Sequence, residues 1–87
     1  MPQHFTSMNT QNTLIDASNA LDKAENAVRQ VQSHTTKTMI AQAEQSIDHA
    51  EQAVQATQNA DNQIAARSLK ARLENTIETL ADTQSEQ

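Results

Sequence analysis

Glycine and cysteine are missing from these 87 residues, aromatic side chains are down to one phenylalanine, and proline occurs once. Without cysteine there is no disulfide framework and no thiol chemistry, which fits a reducing cytoplasm. Without glycine no loop can cradle a phosphate in the manner of nucleotide-binding folds. Helix ends also lose their usual left-handed terminator, so Asn or His is expected to serve there. The aromatic and β-branched content is too low for a sheet, whereas Ala, Gln, Leu and Glu suit helices. No apolar run approaches the roughly 20 residues that cross a bilayer, and the start MPQHFTSM resembles no secretory leader.

Charge is sparse too. Six Lys and Arg stand against eleven Asp and Glu, a formal net charge of −5 spread along the chain. Nucleic-acid binding needs a basic stripe to neutralise phosphates, and none is present. Interfacial membrane binding needs a broad apolar face opposite Lys and Arg, and the stripes here are narrow and rich in alanine. The expected partner is therefore neither nucleic acid nor membrane.

What the chain does have is a repeat. Leu21 to Gln32 reads LDKAENAVRQVQ and Ile47 to Gln58 reads IDHAEQAVQATQ, with six of twelve positions identical and a period of 26. In the first copy the apolar residues are Leu14, Ala17, Leu21, Ala24, Val28 and Val31, spaced alternately three and four apart. That spacing predicts a helix with one apolar stripe, widened by Ala20 and Ala27. The second copy repeats the design at Ile40, Ala43, Ile47, Ala50, Val54 and Thr57. A third stripe follows at Ala66, Leu69, Leu73, Thr76/Ile77 and Leu80.

The three stripes are out of register with one another. Continuing Leu14, Leu21 and Val28 in sevens gives Thr35, Gln42 and His49, all polar. A single straight helix would turn its stripes onto different faces, so turns are predicted near 33–36 and 59–61, the latter with Asp61 as helix cap. The expected fold is all-α, a short antiparallel up-down-up three-helix bundle with a flexible N-terminal arm. Its helices span about 13–32, 36–58 and 61–82, behind an arm of residues 1–12 and before a disordered tail of 83–87. Thr13 is the expected start of the first helix. Glu44 and Glu51 on the second helix flank the stripe opposite Lys70 and Arg72 on the third, so cross-pairing there is expected.

Chemistry finds little purchase. His4, His34 and His49 are scattered, and neither a Glu-x-x-His nor a His-Glu-x-x-His pattern occurs, so no metal and no cofactor is expected. No serine sits in a glycine-flanked turn, and carboxylate pairs such as Glu44/Asp48 lie on helix surfaces without a cleft. The function left standing is non-enzymatic. The chain reads as a cytoplasmic module that binds another protein as regulator, inhibitor or adaptor; the alternative is a self-assembling structural protein, a homodimer in the simplest case. The expected contact patch is Phe5, Met8, Ile15 and Ile64, large apolar residues that fall off the stripes, the last two at one end of the bundle.

Overall fold

The computed structural model describes residues 2–59 and 62–85, with side chains for 13–58 and 62–85. The chain forms α1 (Pro2–Ser33), α2 (Lys37–Ala56), a single 3-10 turn (Thr57–Asn59) and α3 (Gln63–Ser85), with no strand among the described residues. The three helices pack against one another, α1 against α2 most extensively and α2 against α3 least.

Groove linings fix the directions. α1 and α2 are joined by three residues, 34–36, and share a groove lined by residues of 13–23 and 49–56, so they run antiparallel. Glu25 lies near Arg72 and Gln32 near Thr79, so α3 runs parallel to α1. The bundle is up-down-up.

Its core is the set of stripes read from the sequence. Ala17, Leu21, Ala24, Val28 and Val31 are buried on α1, Ala43, Ile47, Ala50 and Val54 on α2, and Leu69, Leu73 and Leu80 on α3. The repeat survives in three dimensions. Shifting an α1 stripe residue by 26 finds its equivalent in α2 or the adjoining turn at equal burial: Leu14/Ile40 half-buried, Ala17/Ala43, Ala24/Ala50 and Val31/Thr57 fully buried. Two antiparallel helices with the same text form a pair with an approximate two-fold axis between them, close to Ala24 and Ala50. A methyl side chain at that crossing lets the helices come toward the close end of the ~8–10 Å interaxial range.

The helix ends depart from expectation in three places. No residue with positive φ occurs among the described residues, so neither Asn nor His takes the left-handed role. Threonine ends the helices instead. Thr35 Oγ1 donates to the Val31 carbonyl at 2.7 Å, and the fully buried Thr57 Oγ1 donates to Val54 O at 2.5 Å. Each hydroxyl adds a hydrogen bond to a carbonyl of the last turn, and Val54 O also receives the Thr57 backbone N–H. At the starts, Thr36 caps α2 by accepting from Met39 N at 3.1 Å. On α3 it is Asn62 that caps, accepting from Ala65 N at 3.0 Å, in place of the expected Asp61, which itself lies outside the described residues. Both Asn and Asp make good caps, so the sequence left two adjacent choices.

The third departure is length. α1 begins at Pro2 rather than Thr13, with proline at the first helical position, where its missing N–H costs nothing. The reading of residues 1–12 as a flexible arm carrying Phe5 and Met8 lies outside the described side chains. α3 runs to Ser85, past the expected end at 82. No glycine or proline stops it, and the Thr83 hydroxyl donates to Thr79 O at 2.8 Å.

Candidate functional site

Two features of the surface stand out, an apolar end and a pair of grooves beside α3. The apolar end lies where α1 passes the close of α2 and α3 begins. Ile64, in the first turn of α3, is 82% exposed, and Ile15 on α1 is 56% exposed. Helix register relates them. Arg72 of α3 lies against Asp22 of α1, and seven residues back along these parallel helices are Ala65 and Ile15. Ile15 and Ile64 therefore occupy neighbouring helices at the same end. Phe5 and Met8 fall outside the described side chains. Ile77, 37% exposed, lies farther along α3.

The polar focus is Arg72, at the junction of α1 and α3. Its Nη2 donates to Asp22 Oδ1 at 2.8 Å and to Glu25 Oε1 at 3.0 Å, its Nε to Glu25 Oε2 at 3.2 Å, and its Nη1 approaches Ser18 Oγ at 3.5 Å. Hydrogen bonds from Glu25 first and Asp22 second hold the guanidinium above its ordinary pKa. The two bonds to Glu25 form the bidentate fork for which guanidinium is shaped. The expected pairing of Arg72 with α2 is thus corrected: it reaches α1. Lys70 does face α2, lining a groove with Asp48 and Glu51. Glu25 serves Arg72 on the neighbouring helix.

The two grooves flanking α3 are related by the repeat. On one side α1 contributes Glu25, Val28, Arg29 and Gln32. On the other, α2 contributes their equivalents 26 residues on, Glu51, Val54, Gln55 and Gln58. α3 lies across the two-fold-like face of the α1–α2 pair, with one Asp-x-x-Glu pair on either side. Neither the grooves nor Arg72's partners were anticipated. The doubled Asp-x-x-Glu was the available signal, since it offers an arginine on the third helix a carboxylate pair on either side.

Among the described residues no group of three His, Cys, Asp or Glu is placed to hold a metal ion, and no helix is long and apolar enough to cross a membrane. His34 is exposed in the α1–α2 turn and His49 is exposed on α2. Comparison with known protein families, curated proteins and solved structures finds no match for the chain.

Proposed function

We propose that this chain is a non-enzymatic module of the cytoplasm that binds another protein, as regulator, inhibitor or adaptor, through the apolar end at Ile15 and Ile64. The observation that carries the reading is the exposure of those two isoleucines in a chain with few large apolar residues. Scattered single exposures are ordinary on protein surfaces, but two large aliphatic residues on neighbouring helices at one end make a contact surface. A chain without cysteine suits a reducing compartment.

The test is Ile15→Lys combined with Ile64→Lys. Both side chains already face solvent, so the melting temperature of the double variant should stay within about 2–4 °C of the parent. Affinity capture from the native host, quantified for parent and variant side by side, should retain a partner with the parent alone. If both capture the same proteins equally, the isoleucine end is not the contact. Sedimentation of the same two proteins addresses self-assembly. A parent that dimerises beside a variant that stays monomeric makes a second copy the occupant of that end.

A further inference from the structure

α1 is longer than the helices it packs against. It has 32 residues, α2 has 20 and α3 has 23. From the turn at 34–36, α2 runs back along α1 and ends at Ala56, in a groove that also takes in Thr13. α3 begins at Gln63, nine residues before Arg72, and nine before its partner Asp22 is Thr13 again. Residues 2–12 of α1 therefore extend past both neighbours, by roughly 16 Å. The molecule is accordingly 53 Å long, against roughly 35 Å for α3 alone. The projecting stretch PQHFTSMNTQN holds no Ala, Leu, Glu or Lys, so its own propensity for a free-standing helix is poor. A helix there needs a neighbour, and both α2 and α3 stop short of it.

Register says which face is offered. Stepping back from Leu14 in the core spacing gives Thr10, Ser7 and Gln3, all polar, so the core stripe stops where the bundle does. Phe5, Met8, Asn12 and Ile15 keep the same spacing in a different register of α1, and Ile15 is 56% exposed. That row is self-complementary. Turned end for end about Thr10, Phe5 meets Ile15 and Met8 meets Asn12. The row also lies within residues 1–15, which contain no Asp, Glu, Lys or Arg, so the net charge of −5 falls wholly on 16–87. Two copies of so acidic a chain approach there with least repulsion. We propose that, when no other protein holds the isoleucine end, a second copy does: the two 2–12 segments pair antiparallel, and each brings its Phe5 to Ile15 and Ile64 of the other. This rests on the reading of that end as a contact surface and adds its second occupant; the two occupants exclude one another. A parallel pair would carry the row on to Asn19 and Asp22, setting Asp22 against its own copy beside α3. Antiparallel pairing sends the two bundles to opposite ends.

Sedimentation equilibrium of the full chain tests this, at concentrations up to about 1 mM because so short a seam makes a weak dimer. The parent should dimerise. Phe5→Lys/Met8→Lys, which lies outside the bundle, should weaken the dimer by about tenfold or more, while the diluted protein still melts within about 2–4 °C of the parent. Ile15→Lys/Ile64→Lys should weaken it as much. Since the chain has no cysteine, His34→Cys in the exposed turn takes a single spin label. In an antiparallel dimer two such labels stand roughly 70 Å apart, and in a parallel one under roughly 40 Å. A parent that stays monomeric overturns the proposal. So does a dimer indifferent to Phe5→Lys/Met8→Lys or to Ile15→Lys/Ile64→Lys, and so does the short label distance. Each of these failures leaves capture of another protein by the isoleucine end untouched. Equal capture by the parent and Ile15→Lys/Ile64→Lys sinks that reading instead, whatever the oligomeric state.

Discussion

The contact between α1 and α2 is built on alanine, whereas α3 meets α1 through threonine and arginine. At the first, Ala17, Ala24, Ala43 and Ala50 are fully buried, with Leu21 and Val31 filling the space beside them. At the second, Arg72 is held by two carboxylates, and Thr76, Thr79 and Thr83 descend α3 with hydroxyls bonded to carbonyls four residues earlier. Those threonines have satisfied their own polar groups, so they can line a seam without needing partners on α1. The difference teaches how a duplicated helix is used. Two copies of one text pack by shape, because small side chains opposite small side chains let the backbones close up. The third helix has no twin: Leu69, Leu73 and Leu80 pack into the core, and Arg72 adds directional contacts to one of two nearly equivalent seats.

If the hairpin is the stiff part, removing volume there should cost most. Leu21→Ala is expected to destabilise by roughly 2–5 kcal/mol, since Leu21 is fully buried at the centre of the α1–α2 contact. Leu73→Ala, on α3 beside an open groove, should lie at the lower end of that range. Urea unfolding of both variants decides it. A Leu73 variant less stable than the Leu21 variant would reverse the ranking of the two regions.

Adding volume is the next step down. Ala24→Leu should overpack the helix crossing and cost about 1–3 kcal/mol. Ala66→Leu, on the groove-lining side of α3, has room to turn outward and should change stability by less than about 1 kcal/mol. Equal effects at the two positions would mean that the hairpin is no tighter than the docking of α3.

This contrast also marks what could be read from the chain before its structure. The stripes were legible nearly residue by residue, because burial on a helix obeys a period and most apolar residues of each helix keep to it. The first out-of-register join gave the turn near 33–36, while most of the second, 59–61, lies outside the described residues. Caps were half-legible: Thr36 and Asn62 are polar residues among several that could serve, and geometry chose between neighbours. The destination of Arg72 was not legible, because both seats carry the same Asp-x-x-Glu. In the structure α3 is turned so that Arg72 reaches the α1 seat, a choice that two like seats leave open. The isoleucines were legible as lying off the stripes, and both are exposed.

The smallest expected effect tests the polar half of the comparison directly. Arg72 and its partners are partly open to water, the guanidinium side chain 33% exposed and Asp22 61%. Exposed pairs of this kind are worth ~0–1 kcal/mol, and the bidentate geometry at Glu25 favours the upper part of that range. Arg72→Ala should therefore cost about 1 kcal/mol, and Arg72→Lys about half of that, since lysine keeps the charge but loses the fork. The loss should be larger near 0.01 M salt than near 1 M, where the screening length falls to about 3 Å. The alkaline side is set by the guanidinium. Its folded-state pKa is raised, so its contribution is complete at every pH below the unfolded arginine's titration and disappears only as pH climbs through the folded value. Between about pH 7 and 10 the difference between parent and Arg72→Ala should thus stay constant. Thermal unfolding of the three proteins across salt and pH gives the answer. A loss that is the same at both salt concentrations would show that Arg72 holds α3 through its packed methylenes, and the two contacts would then differ in degree rather than in kind.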